Sequence, residues 1–277
     1  MSETVDAKYA NLQASLKEMG SLLVAFSGGV DSTFLLKVAI ETLGSAAVCA
    51  VTATSPTYPE SELEEAIRLA GVVGARQILV ESNELEIPGF SGNPHNRCYH
   101  CKSELFSICV AKAKELGLNF VADGSNTDDL GDYRPGRQAA CELNVRSPLL
   151  EAGLSKEEIR ELSRRLGLPT WSKQPYACLA SRFPYGVEIT EGRLKQVERC
   201  EEFLKGEGFK VYRVRFHGEN ARIELGEAEL PRLLDPLLRK RVVEFFRAAG
   251  FTYVALDLQG YRSGSMNEGE ALKATSA

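Results

Sequence analysis

The chain has 277 residues, 44% of them hydrophobic and 26% charged, with a formal net charge of -5. These values are ordinary for a soluble globular protein of one large or two modest domains, and they give no reason to propose a general nucleic-acid surface. No apolar stretch reaches the length of a membrane span, and the opening MSETVDAKYANLQ has neither a basic region nor an apolar core, so a cytoplasmic protein is expected.

In chain order, residues 6–19 read as a helix with Leu12, Leu16 and Met19 on one side. Residues 22–26, LLVAF, lack alternation, as a parallel strand buried on both faces would. The apolar run stops at Ser27, Gly28 and Gly29. It restarts as DSTFLLKVAIETLG, which puts Phe34, Leu35, Val38 and Leu43 at helical spacing with Asp31 and Ser32 in the first turn. A strand, a phosphate loop and a helix are expected here. Glycines without Cβ let the backbone turn and approach a ligand, and the N–H groups of a helix N-terminus attract an anion.

A second buried strand is expected over 46–53, a Glu-rich helix over 59–73 and a third strand over 77–81. Buried strands alternating with helices imply an α/β fold, a doubly wound parallel sheet covered on both faces. Ligands of such sheets bind beyond the carboxyl ends of the strands, where Ser27 to Asp31 would lie. Thr52 and Thr54 end the second strand on that edge, and either line an adenine pocket or sit in a solvated turn.

A long loop, 82–97, carries Pro88, Gly89, Gly92 and Pro94 and runs into Arg97-Cys98-Tyr99-His100-Cys101-Lys102, followed by a helix over 103–117. A strand at 120–122 ends in DGSNTDDLGDYRPGRQAA. There Gly124 marks another loop on the ligand edge. Asp123 and Asp128 either hold Mg²⁺ on a pyrophosphate or make Asx turns and a helix cap. Ser155, with Glu158 three residues on, predicts a capping box, and Gly167 and Pro169 stop that helix. The stretch WSKQPYACLASRFPYGVEIT has no helical period. We expect a boundary near Gly186, giving domains 1–186 and 187–263 and a disordered tail, 264–277. The second domain reads as a small α+β unit: helix 191–205, strands 210–216 and 221–225, helix 230–249 and strand 253–258, with an antiparallel pair at its centre.

Seven cysteines, an odd number, argue for free thiols, metal ligands or chemistry over structural disulfides. Cys49, Cys109, Cys141 and Cys200 sit in apolar or helical contexts and read as buried small side chains. Cys98 and Cys101 form a CxxC, which is half a zinc site, and no second CxxC or HxxxH occurs. Cys178 could add a third sulfur. Three cysteines on a [4Fe–4S] cluster would leave one iron open, and three inert cysteines are the plainer alternative.

The string Ser27-Gly28-Gly29-Val30-Asp31-Ser32 lacks the lysine of a Walker loop and is not GxGxxG. It resembles the pyrophosphate loop, SGGxDS, of the ATP pyrophosphatase (PP-loop) superfamily, whose members release pyrophosphate from ATP while adenylylating a substrate oxygen. With ADGSNTDD, RSPLLEAGLSKEEIRELSRRLGLP and above all Cys178-Leu179-Ala180-Ser181-Arg182-Phe183-Pro184-Tyr185-Gly186, the chain is similar to the LarE family of ATP-dependent sulfur transferases over roughly residues 6–263.

That resemblance implies ATP with Mg²⁺, and a small nucleotide substrate, pyridinium-3,5-biscarboxylic acid mononucleotide, whose carboxylates are adenylylated and then receive sulfur. The product feeds the nickel-pincer nucleotide cofactor of lactate racemase. Two mechanisms exist in the family. In one, the cysteine matching Cys178 gives up its own sulfur and becomes dehydroalanine. In the other, a CxxC and that cysteine hold a [4Fe–4S] cluster whose open iron carries hydrosulfide. The presence of Cys98 and Cys101 favours the second. Ser27 to Ser32 would hold the pyrophosphate and Asp31 would position it with Mg²⁺.

Cys178, Ser181 and Lys102 fall at the chemistry, although Lys102 also reads as a surface lysine at a helix start. Arg182, with Arg213 and Arg215 alternating on one strand face, suits a substrate phosphate; the resemblance adds Glu224 to that site, and a solvated strand face is the plainer alternative. The resemblance further implies a homo-oligomer, with sulfide or a cysteine desulfurase as the sulfur sources open to it. A tRNA thiolase, an amide-forming ligase and a non-catalytic nucleotide sensor are the competing readings. A tRNA enzyme should show a basic module, and the second domain is mixed in charge.

Overall fold

A computed structural model of the chain describes residues 4–131, 135–174, 177–262 and 265. Among these, the chain divides into two compact units: 1–87 with 95–176, and 88–94 with 177–277. Residues 177–186, expected with the first domain, therefore pack with the second unit, as does a piece of the long loop. Asn93 is the reason. Wholly buried and left-handed at φ 53°, it donates to the carbonyls of Phe183 (3.1 Å) and Pro184 (2.7 Å), while Ser91 O accepts from Ile189 N at 2.8 Å.

The first unit runs α1 (Val5–Met19), β1 (Leu22–Ala25), α2 (Val30–Leu43), β2 (Val48–Thr54), α3 (Glu60–Val73), β3 (Arg76–Glu81), α4 (Arg97–Leu116), β4 (Phe120–Ala122), α5 (Gly136–Glu142), α6 (Pro148–Glu151) and α7 (Lys156–Arg165). Its four strands lie in the order β3-β2-β1-β4, all parallel. The pleat explains the missing alternation of β1. Leu22 and Val24 face a core with Leu12 and Leu16 of α1, Phe34 of α2 and Leu69 of α3, while Leu23 faces a second core with Phe106 and Cys109 of α4 and Ala139 of α5. The doubly wound sheet is thus present as expected. Its middle strand must be apolar on both faces because both are covered.

One helix start in the first unit differs from the sequence reading in a way that bears on the cysteines. Helix α4 begins at Arg97, so the CxxC lies at the start of a helix rather than ahead of it. In the first unit the capping box forms as read: Ser155 Oγ accepts from Glu158 N, and the Glu158 carboxylate accepts from Ser155 N at 2.8 Å.

The second unit runs α8 (Glu191–Gly206), β5 (Tyr212–His217), β6 (Asn220–Leu225), α9 (Pro236–Ala248) and β7 (Tyr253–Leu256). Strands β5 and β6 are antiparallel and β7 joins β6 in parallel, so the expected α+β unit is a mixed three-stranded sheet. The single helix expected over 230–249 is broken into a short 3-10 helix, Glu227–Leu234, and α9, because Pro231 and Pro236 cannot donate to a continuous ladder. Apart from Ser265, the tail expected to be disordered lies outside the described residues.

Candidate active site

In the first unit, the turn between β1 and α2 is a tight glycine loop closed by its own hydrogen bonds. Gly28 adopts φ +61°, and a Cβ there would stand 2.9 Å from Ala66 Cα, so both the backbone angle and the packing of α3 require glycine. Ser32 Oγ accepts from Ser27 N at 3.3 Å, and Gly29 O accepts the first helical bond from Thr33 N at 3.0 Å. The opening amides of α2 are left for an anion, as a helix N-terminus leaves them.

Gly124, at the end of β4, lies against this loop: a Cβ would be 3.0 Å from Ser32 N. Asp31 points to the same place, ion-paired to Lys156 and accepting from Asn126 Nδ2 at 3.3 Å. Sequence reasoning missed Lys156, because an exposed-looking lysine at the start of a capped helix carries no signal until α7 is docked beside α2. Thr52 and Thr54 do not present free hydroxyls. Thr52 Oγ1 donates to Phe26 O (2.8 Å) and accepts from Gln77 Nε2 (2.9 Å), and Thr54 Oγ1 donates to Val80 O (3.3 Å), so both brace the strand ends.

The carboxylates of the acidic loop accept hydrogen bonds from their surroundings. Asp123 accepts from Ser125 N (3.1 Å), Ser125 Oγ (2.7 Å) and Ser147 Oγ (2.8 Å), and Asp128 accepts from Lys156 N (3.2 Å) at the entry to α7. These are Asx turns and a cap. Of the acids singled out, Asp31 is the one that faces the loop amides' end of α2.

At the start of α4, Cys98 is exposed and Cys101 half-buried, one helical turn apart and so on one face. Cys101 Sγ lies 3.8 Å from Glu84 Oε1. Burial first, then the charge of Glu104, raises the Glu84 carboxyl above the usual range, against hydrogen bonds from the backbone, Ser55 and Thr57. Two thiols one helical turn apart, one exposed and one half-buried, are of the soft-ligand type that suits a soft metal. Among the described residues, no three His, Cys, Asp or Glu side chains come together as a metal-binding group. Lys102 rests its ammonium over the Phe106 ring, 5.2 Å from the centroid, and its Cγ would be 2.8 Å from a Cβ at Gly136. Cys49, Cys109 and Cys200 are buried as read, whereas Cys141 is exposed on α5, which is too short to hide both faces.

In the second unit, the block 178–186 is tied down by arginines. Arg182, expected on a substrate phosphate, is fully buried instead. Its fork makes a two-bond pair with Glu201 (2.9 and 2.8 Å), and Nη1 donates to the carbonyls of Ala177 (2.6 Å) and Cys178 (3.1 Å) and to Ser181 Oγ (3.0 Å). Glu201 also accepts from Val214 N at 2.9 Å. Burial alone would raise its carboxyl, but Arg182, then Arg213 and the Val214 amide, hold it below the usual range.

Arg215 donates to Ser181 O (2.9 Å), Glu224 (2.7 Å) and Ser265 Oγ (3.1 Å), and Glu224 is shared with Arg222 at 2.8 Å. Arg213 bonds Tyr212 O (2.6 Å) and stands over the Tyr261 ring. The structure therefore brings Cys178, Ser181, Arg182, Arg215 and Glu224 into one network and leaves the Cys178 thiol half-exposed at its edge. The missed member is Glu201. Its signal was legible: it falls on the apolar stripe of α8 with Leu194, Val197 and Leu204, where a carboxylate has no place unless paired.

A parallel sheet, an SGGVDS loop opening α2 and a second loop pressed on its amides define an ATP-dependent enzyme of the PP-loop superfamily. Consistent with this, the chain is 25% identical over 210 residues to a GMP synthase of Aeropyrum pernix, covering 69% of this chain and 41% of that protein. Nearer relatives fix the family. The chain is 39% identical over 265 residues to the pyridinium-3,5-bisthiocarboxylic acid mononucleotide synthase of Lactiplantibacillus plantarum, covering 96% of this chain and 95% of that protein. It is 46% identical over 263 residues to an uncharacterized protein of Synechocystis, covering 95% and 98%. No protein-family model matches. The chain belongs to the LarE family. Among the described residues, no helix is long and apolar enough to cross a membrane.

Proposed function

We propose that this protein is an ATP-dependent sulfur insertase that converts the carboxylates of pyridinium-3,5-biscarboxylic acid mononucleotide to thiocarboxylates. The near full-length likeness to the Lactiplantibacillus plantarum synthase carries this reading. A carboxylate repels nucleophiles and lacks a leaving group. Attack of its oxygen on the α-phosphorus of ATP expels pyrophosphate and leaves an acyl adenylate. Sulfur then attacks the acyl carbon, and AMP departs with the oxygen. The loop of residues 27–32 receives the pyrophosphate, Lys156 adds a cation and Asp31 takes Mg²⁺ with phosphate oxygens. Asp123 and Asp128 serve that site by shaping its loop. Arg213 and Arg215 are the guanidinium groups assigned to the substrate phosphate, with Arg182 and Glu201 fixing the loop that bears Cys178.

The proposed sulfur carrier is a [4Fe–4S] cluster, whose ligands are the three cysteines named from the sequence, Cys98, Cys101 and Cys178. When bound, it supplies sulfur in deprotonated form, because a metal ion keeps a ligating sulfur ionised. Lys102, next to the CxxC, screens the anionic substrates. The test is anaerobic purification with iron and acid-labile sulfide quantified for the native chain and Cys98→Ala, followed by turnover with ATP, substrate and added sulfide. About four irons per chain, lost in the variant, with repeated turnover, supports the cluster reading. An iron-free chain after reconstitution, with loss of H₂S from Cys178 after a single turnover, replaces it with sacrificial transfer. The homo-oligomer and the sulfur source, sulfide or a desulfurase, stand as parts of the same proposal.

A further inference from the structure

The carbonyls of the phosphate loop are held by side chains that no sequence motif marks. Tyr58 Oη donates to Ser27 O at 2.8 Å, with the Glu62 carbonyl sharing that proton at 3.2 Å. Lys173 Nζ donates to Gly28 O at 3.2 Å and to Glu62 Oε2 at 2.8 Å. The backbone of Lys173 is itself fixed, since Arg160 of α7 donates to Trp171 O (2.6 Å) and Lys173 O (2.8 Å). Three separate segments, the approach to α3, its first turn and the short 3-10 helix after α7 (Pro169–Ser172) with its cap Lys173, thus converge behind two consecutive peptide groups.

We propose that Tyr58, Lys173 and Glu62 form a clamp that sets the amide directions of the pyrophosphate loop. In a planar trans peptide the N–H points opposite to the C=O. Holding Ser27 O therefore aims Gly28 N–H the other way, and holding Gly28 O does the same for Gly29 N–H. These are the peptides that need it. Both flank glycines, whose φ and ψ are the least restricted in the chain, so without ties either peptide could turn its carbonyl oxygen toward an incoming anion. The clamp also keeps those two oxygens away from the phosphate. Lys173 acts through geometry: its charge is matched by Glu62, and both side chains are mostly buried, 19% and 14% exposed. Tyr58 keeps the proton it donates, since burial and then the Glu62 charge raise its hydroxyl well above the ordinary value.

The clamp rests on the reading that residues 27–32 receive pyrophosphate. It is tested by calorimetric binding of inorganic pyrophosphate, ATP and AMP, each with Mg²⁺, to the full chain and to Tyr58→Phe, Lys173→Met, Lys173→Arg and Glu62→Gln. Loss of one orienting hydrogen bond should weaken pyrophosphate and ATP about 3- to 10-fold in Tyr58→Phe, Lys173→Met and Glu62→Gln. AMP, which lacks the pyrophosphate, should bind as before, and Lys173→Arg should retain most of the affinity. Tyr58→Phe removes a single oxygen, so its readout does not depend on a variant that disrupts folding. Equal losses for AMP and pyrophosphate would overturn the clamp in favour of general destabilisation. Tighter pyrophosphate binding by Glu62→Gln would overturn it in favour of Lys173 as a direct phosphate ligand. A native chain that binds neither ATP nor pyrophosphate would overturn the ATP reading and the clamp with it.

Discussion

Replacing Arg182 by Met leaves Glu201 as a buried carboxylate without its principal counter-charge. In the native chain the pair is desolvated, 0% and 4% exposed at the side chains, and its two hydrogen bonds measure 2.8 and 2.9 Å. Breaking such a pair from one side costs about 3–5 kcal/mol, a large part of a total stability on the order of 5–15 kcal/mol. The pH dependence gives the sharper test. Glu201 is held below the usual carboxylate range when folded, so the native contribution is present above an unfolded value of about 4.3 and is lost as pH falls through the lowered folded value. In Arg182→Met, burial dominates and raises the same carboxyl. The variant is then destabilised most at neutral pH and recovers as acid protonates Glu201. Urea denaturation at pH 7 and pH 5 should show a larger deficit at pH 7, and Arg182→Met/Glu201→Leu should be less impaired there than the single variant. A single variant within about 1 kcal/mol of native at pH 7, or an equal deficit at both pH values, would refute the reasoning.

Gly28→Ala should abolish pyrophosphate binding while leaving the second unit folded, because a left-handed alanine costs about 1–2 kcal/mol and its Cβ meets the backbone of α3; unchanged binding in a calorimeter would contradict the geometry. Gly124→Ala should weaken the same binding less severely, by pressing on Ser32 N. Lys156→Met should slow ATP-dependent turnover by roughly 10-fold or more and raise the Mg²⁺ requirement, since Asp31 loses its holder; unaltered kinetics would remove Lys156 from the site. Brief iodoacetamide treatment of the metal-free native chain, read by peptide mass, should label Cys98 and Cys141 but spare Cys109 and Cys200, whose thiols burial pushes up to about 12.

Local signals were legible wherever a residue's own chemistry constrains its neighbours. The apolar run of β1, the glycines of the phosphate loop, the Ser155–Glu158 box and the α8 stripe are dictated within a few residues of sequence, and the elements form where those signals fall. The two prolines that split the expected 230–249 helix were equally present in the sequence, but the apolar period running through them outweighed their missing donors.

The family, too, was carried by contiguous motifs. What the sequence could not supply is who stands behind whom. Arg182 reads as a phosphate fork until the fold encloses it with Glu201, because the same guanidinium geometry serves a buried carboxylate. Asp123 and Asp128 gain their partners, Ser125, Ser147 and the first amide of α7, only when the loop is folded beside them. Lys156, Lys173 and Tyr58 are unremarkable lysines and a tyrosine in the chain, separated from the loop they hold by up to 145 positions. Only the docking of α3, α7 and the segment after it on the sheet brings them to one peptide turn, and sequence periodicity carries no record of a contact made across that distance.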